Sequence, residues 1–332
     1  MKRKGNLINE ITDLNNLYEA FYKAQKSKKE KPEISEYRHN LYFNLKFLQN
    51  QIQTGKIVVG NYHYFTIYEP KERLICAASF PERVLHHALM NVCHRYFENR
   101  QIEESYATRI NKGTYKAVEK AKYYSKHYKY YLKLDIRKYF DSISHKILLQ
   151  NLETIFKDSM LLYIFYQIIN SYSTLTKFPN KTGLPIGNLT SQYFANFYLV
   201  GLDRFIKQNQ HIKPYIRYMD DIIIWANNAS ELNTLLQKIE IFLERELQLT
   251  LKTKYINTTQ HGLNFLSYRI FSNRTELQQK AKKRFIKKIT IYNERLANNE
   301  YTETEYVAHA CPLIAFTQHA SSKGFRKKVF NC

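Results

Sequence analysis

Residues 215–225 read Tyr-Ile-Arg-Tyr-Met-Asp-Asp-Ile-Ile-Ile-Trp. Two adjacent carboxylates, Asp220 and Asp221, sit between apolar runs rich in β-branched residues, which favour strands. The pattern predicts a strand through Tyr218, a tight turn at Met219-Asp220-Asp221 and a second strand from Ile222. Such a hairpin holds both carboxylates at its tip. Ionised so close together, they repel unless a cation lies between them, and hard oxygen ligands suit Mg²⁺. The pair also reads as a solvated turn, because Asp is a common turn residue. A third carboxylate stands in Tyr130-Tyr131-Leu132-Lys133-Leu134-Asp135-Ile136. Tyr130, Leu132, Leu134 and Ile136 alternate as on a strand, which puts Asp135 and Lys133 together on the other face. Asp135 and an Asp-Asp hairpin together could form a three-carboxylate site for two metal ions about 4 Å apart, the arrangement that serves phosphoryl transfer.

Composition narrows the partners. Among 332 residues, 51 Lys and Arg stand against 29 Asp and Glu, a formal net charge of +22. That excess suits a polyanion, and the 28 Tyr and 20 Phe offer rings on which bases stack. The same residues also read as a basic surface and an aromatic core. Cys76, Cys93, Cys311 and Cys332 show no CxxC or paired spacing, which argues against a disulfide framework or zinc site and fits a reducing compartment. No signal-peptide core follows the basic start, and no run is long enough to span a bilayer. The expectation is a cytoplasmic protein with no membrane partner.

The elements that would position the carboxylates follow from periodicity. Residues 1–54 read as polar helices, with one apolar series from Leu7 to Phe21, a lysine-rich break, and a second from Tyr37 to Leu48. Residues 62–68 and 73–75 read as strands flanking Glu69-Pro70-Lys71-Glu72, a basic hairpin fit to lie on a triphosphate. Ser79 with Glu82 reads as a capping box opening a helix to Phe97. Its histidines, His86, His87 and His94, read as ordinary helix residues. A helix is predicted over 115–126, another over 145–172, and a third after Leu184-Pro185-Ile186-Gly187-Asn188-Leu189-Thr190-Ser191-Gln192, with Asn188 and Thr190 as caps. Ser230 is expected to cap an amphipathic helix from Leu232 to Leu247. Leu249-Thr250-Leu251 suggests a strand, residues 262–266 a hairpin, and the chain from about Thr275 a basic helical region.

In this order the motifs resemble those of reverse transcriptases. Lys133-Leu134-Asp135-Ile136-Arg137-Lys138-Tyr139-Phe140 resembles motif A, the stretch from Leu184 to Gln192 motif B, and Tyr218-Met219-Asp220-Asp221 motif C. Residues 251–254 and 262–268 are similar to motifs D and E, and 71–84 and 105–117 to the fingers motifs. The resemblance covers roughly 56–272. In motif B, Ile186 stands where most reverse transcriptases have Gln, and Ser191-Gln192 where they have Ser-Pro. That form is similar to the enzymes of diversity-generating retroelements.

The resemblance implies an α+β right-hand polymerase: fingers, a palm with an antiparallel ferredoxin-like (RRM-like) sheet, and a helical thumb. Implied boundaries are a helical N-terminal segment over 1–54, fingers over 55–129, palm over 130–272 with a fingers insertion at about 145–183, and a basic helical thumb over 273–332. The implied activity is copying a template-repeat RNA into adenine-biased, error-prone cDNA that rewrites a variable gene. Implied partners are template RNA, primer and cDNA, dNTPs, and a small basic accessory protein. Asp135, Asp220 and Asp221, with the Ile136 carbonyl, would hold two Mg²⁺ ions, for which Mn²⁺ substitutes. Lys71, Arg73 and Arg109 would meet the triphosphate, and Lys254 the leaving pyrophosphate. Phe140 would stack under the sugar and exclude a 2′-hydroxyl; its other reading is a core aromatic. Ile186, beside Gly187, would loosen nucleotide placement because it offers no hydrogen-bonding group. No segment resembles an RNase H, maturase or endonuclease domain. Competing readings are a group II intron-like or phage-defence reverse transcriptase, a non-catalytic RNA-binding scaffold, and a metal-dependent nuclease.

Overall fold

The computed structural model describes residues 3–68, 72–174 and 181–330. The chain divides into two compact units, each gathered from three separate stretches. Residues 1–103, 136–209 and 239–252 make the first; 104–135, 210–238 and 253–332 make the second.

In the first unit the N-terminal apolar series is two helices rather than one, Ile8–Thr12 and Leu14–Ala24. Asp13 divides them because its carboxylate accepts from the Asn15 and Asn16 amides, capping the second helix. The next series divides at Asn40 into Pro32–His39 and Leu41–Thr54. The helix expected over 145–172 is also two, His145–Glu153 and Ser159–Asn170. Asp158 marks this break by accepting from Leu161 N at 3.2 Å and Leu7 N at 2.8 Å. Partners so distant in sequence are invisible to periodicity.

β1 (Tyr62–Ile67) and β2 (Arg73–Ala78) form an antiparallel two-stranded sheet. Lys71 lies outside the described residues. The helix Phe80–Glu98 starts at Ser79 without a side-chain cap bond. Glu82 does not complete a capping box. Its side chain is buried and accepts from Gly60 N at 3.0 Å, tying the approach to β1 to this helix. Asn188 likewise does not cap the helix Leu189–Tyr198; its Oδ1 accepts from Ala78 N at the end of β2. Helical structure continues as Val200–Arg204 and a π-turn, Phe205–Asn209.

The second unit is built on β3 (Tyr130–Ile136), β4 (Tyr215–Tyr218), β5 (Asp221–Ala226) and β6 (Leu251–Thr258), in the order β4-β5-β3-β6. β3 and β4 both run antiparallel to β5. Tyr131, Ile216, Ile223 and Trp225 pack with Ala117, Val118 and Ala121 of the helix Thr114–His127 into one core cluster. The helix Ala229–Leu247 is capped by Asn228, not Ser230: Asn228 Oδ1 accepts from Ser230 N at 2.9 Å.

β7 (Leu263–Phe265), β8 (Tyr268–Ile270) and β9 (Thr275–Leu277) form a second antiparallel sheet. β9 stands where a helix is expected to begin. Thr275 and Leu277 are buried alternately and pair with Ile270 and Tyr268, so the ladder claims them. Helices Gln279–Ala297, Glu303–Gln318 and Lys323–Phe330 follow. Cys76, Cys93 and Cys311 are free thiols. Among the described residues no helix is long and apolar enough to cross a membrane.

Candidate active site

β4 and β5 are joined by two residues, because Tyr218 pairs with Asp221 and leaves only Met219 and Asp220 in the loop. Asp221 therefore belongs to the strand and not to the turn. Met219 has φ +55°. With only the first loop residue left-handed, the turn has the sign pattern of type II′, where glycine is the usual choice. A methionine there costs about 1–2 kcal/mol, which the surrounding structure must offset. β5 runs Ile222, Ile223, Ile224 and Trp225, all buried, so the turn stands on a fixed strand.

The register of β3 against β5 sets Asp135 directly opposite Asp221. Side chains in that relation share a face and lie close. Lys133 is one step back on the same face of β3. Its Nζ lies 3.2 Å from Asp221 Oδ1 and donates to Oδ2 at 3.3 Å and to the Asn264 carbonyl of β7 at 2.6 Å. Burial pushes the Asp221 carboxyl up to about 6; Lys133 pulls it down, and Asp220 and Asp135 push it up again. The Asp135 and Asp220 charges therefore act against ionisation of Asp221, and Lys133 acts for it. All donor atoms of the three carboxylates are hard oxygens, so the set fits a divalent cation of the Mg²⁺ kind. Among the described residues no three His, Cys, Asp or Glu side chains enclose a metal on their own. Mg²⁺ ordinarily completes its shell with water and substrate phosphate.

Arg109 and Lys254 belong to the same unit. Arg109 Nη1 donates to Ser105 O at 2.9 Å, and Lys254 is exposed on β6. Arg73, Phe140, Ile186 and Gly187 belong to the first unit. Arg73 is the exposed first residue of β2. Phe140 is half-buried on the short helix Tyr139–Ser142, and its carbonyl accepts from Leu184 N at 2.9 Å. The Ile186 carbonyl accepts from Cys76 N at 2.8 Å, which seats the loop on β2. Gly187 has φ +125°, and a Cβ there would sit 2.9 Å from Ile75 Cγ2 and 3.3 Å from Cys76 O. Glycine is required on both counts. The structure thus ties Phe140 to the Ile186-Gly187 loop and that loop to β2.

Two contributors do not stand out in the sequence. Lys133 shows only as a neighbour of Asp135 on a strand face; its partner lies 88 positions away. Arg217 is wholly buried, and Nη1 donates to the Met219 carbonyl at 3.2 Å. A charged residue inside an apolar strand beside an Asp-Asp turn is the signal that points to it.

Residues 69–270 match the family model described as reverse transcriptase (RNA-dependent DNA polymerase). That is more than half of the chain, and the chain belongs to this family. A putative COX1/OXI3 intron 2 protein of Saccharomyces cerevisiae is 22% identical over 151 residues, 45% of this chain and 16% of that protein. Apo telomerase from Candida tropicalis, truncated of its C-terminal domain, superposes with a TM-score of 0.50 at 11% identity, over 65% of this chain and 55% of that one. Telomerase from Candida albicans, solved with a TWJ fragment of telomeric RNA, gives 0.51 at 10% identity, over 77% and 56%. At these identities the likeness is one of fold, and the fold is the α+β right-hand polymerase fold.

Proposed function

We propose that the chain is an RNA-directed DNA polymerase that copies a template-repeat RNA for a diversity-generating retroelement. The observation that carries the polymerase reading is the β3–β5 register, which sets Asp135 opposite Asp221 with Asp220 one residue away in the turn. Asp135, Asp220, Asp221 and the Ile136 carbonyl are the groups that would hold two divalent ions, Mg²⁺ or Mn²⁺. When bound, such ions supply charge neutralisation at the transferring phosphoryl group. The protein's part is positioning. Lys133 draws Asp221 toward β3. Arg73 and Arg109, with Lys71, serve the triphosphate, and Lys254 the pyrophosphate. Phe140 leaves no room for a 2′-hydroxyl, so ribonucleotides are refused.

Ile186 and Ser191-Gln192 support the retroelement reading. Isoleucine places shape but no hydrogen bond beside Gly187, and each 1.4 kcal/mol or so lost between right and wrong bases is about tenfold in discrimination. Template-repeat RNA and a small basic accessory protein are the partners of this reading. A second reading, an intron-type reverse transcriptase, draws on the likeness to the yeast intron protein.

The test is primer extension on RNA with dNTPs and Mg²⁺, sequencing of the cDNA, and Asp220→Ala alongside. Substitutions concentrated opposite template adenines, reduced by Ile186→Gln, are the expected outcome. Faithful product favours the intron-type reading. Product undiminished in Asp220→Ala removes the assignment of the carboxylates.

A further inference from the structure

β4 is the edge strand of its sheet, with β5 on one side only. On its other side Ser105 forms a parallel bridge to Arg217. Arg217 N donates to Glu104 O at 2.9 Å and Tyr106 N donates to Arg217 O at 3.0 Å. The Arg217 amide and carbonyl are thus both tied to the 104–106 segment, while its neighbours in β4, Tyr215 and Ile216, are buried. Its side chain is buried too, with no exposed surface. Burying a guanidinium is costly unless its donors are satisfied, so where those donors go is informative. Nη1 reaches two residues along the chain and donates to the Met219 carbonyl at 3.2 Å.

That carbonyl and the Asp220 amide belong to one planar peptide unit. Fixing the carbonyl therefore fixes the plane from which the Asp220 backbone departs. The residue before it, Met219, holds φ +55° without being glycine, so left to itself this turn would relax. We propose that Arg217 is a positioning residue: its guanidinium clamps the Met219–Asp220 peptide and so presents the Asp220 carboxylate at one place for a divalent cation. The inference rests on the reading of Asp220 as a metal-holding residue. A lysine keeps the charge but not the planar fork, so it cannot reproduce the clamp.

The experiment compares the native protein with Arg217→Lys, Arg217→Gln, Asp220→Ala, and Met219→Gly alone and in the Arg217→Lys background. Cooperative melting establishes which variants fold. Arg217→Gln serves if the lysine variant does not fold, because it buries no charge. Two quantities are read. One is Mn²⁺ affinity, by paramagnetic resonance on the protein with dNTP and a chain-terminated primer on RNA. The other is single-turnover incorporation, split into a rate and a dNTP half-saturation.

Expected are a Mn²⁺ affinity weakened about tenfold and a rate lowered roughly 10–100-fold, with half-saturation moved less than about threefold. Met219→Gly should lower the native rate slightly and raise that of Arg217→Lys, because glycine takes φ > 0 without the clamp. A folded Arg217 variant with native Mn²⁺ affinity overturns the proposal. So does a loss of rate that Met219→Gly leaves uncorrected. If Asp220→Ala also keeps native affinity and rate, the failure lies in the reading of Asp220 itself.

Discussion

The molecule's two longest hairpins, β4–β5 and β1–β2, are held in opposite ways. β4–β5 is joined by two residues, its strands are almost wholly buried, and β3 lies against β5. Every residue of β1 is at least partly exposed, and among the described residues the β1–β2 sheet has two strands. Two strands alone are marginally stable. The second hairpin is kept in place by a few long-range hydrogen bonds near its base: Glu82 to Gly60, Ile186 to Cys76, Asn188 to Ala78. The lesson is a division of labour. Asp135 and Asp221, which are proposed to meet a metal, stand on a buried ladder where the register sets them opposite each other. Arg73, which is proposed to meet a charged substrate, stands on a hairpin whose long-range hydrogen bonds among the described residues include several near its base. That second hairpin exposes Tyr64, Phe65 and Leu74 to solvent.

The comparison can be broken most sharply at the buried hairpin. Asp220→Ala should lower single-turnover incorporation by roughly a thousandfold or more without loss of cooperative melting; a rate within tenfold of native would remove the turn from the chemistry. Lys133→Met should be the next largest. It strips Asp221 of the lysine that faces it across the sheet, so incorporation should fall roughly a hundredfold and stability by about 1–3 kcal/mol. Calorimetry and primer extension read both, and an unaffected protein would mean that the pair only decorates the sheet.

At the exposed hairpin the expected effects are smaller and appear mainly in stability and substrate affinity. Gly187→Ala forces a Cβ against Ile75 and Cys76 in a left-handed conformation. It should cost about 1–3 kcal/mol and raise the dNTP half-saturation more than it lowers the rate. A native melting temperature would show that the loop can yield.

Glu82 gives the finest test. Burial raises its carboxyl from 4.5 to about 7. The folded state therefore holds a proton that the unfolded state releases near 4.5. The stability this group contributes is complete below 4.5 and declines as pH rises through about 7. Glu82→Gln lacks that decline, so its stability should gain on the native one between pH 5 and 8, by at most about 3 kcal/mol. Parallel melting curves would remove the buried-acid assignment. His86, which burial holds down from 6.5 to about 3, is neutral in the folded state across that window, and the proton it takes up on unfolding is common to both proteins.

Much of this was legible in the sequence because the signals are local. Alternation along residues 130–136 gives β3 at its observed ends, and the strand-favouring runs on either side of the Asp-Asp pair give the hairpin. The order of the motifs gives the family. Glu82 shows the limit of such signals. Its spacing from Ser79 is that of a capping box, yet it bonds to Gly60, because a backbone amide beside its buried carboxylate competes successfully for it. Thr275 and Leu277 continue a basic helical pattern, yet pair with β8, because the ladder buries them.

What the sequence by itself determined is therefore the inventory: strands of period two, a tight turn carrying an Asp-Asp pair, and a strong excess of positive charge. What only the tertiary structure decided is pairing at a distance. It set Asp135 opposite Asp221, brought Lys133 to both Asp221 and Asn264, buried Arg217 against the Met219 carbonyl, and composed each unit from three separate stretches. The physical reason is that propensity and periodicity act over a turn or a strand, whereas register and charge compensation are settled by which surfaces bury one another.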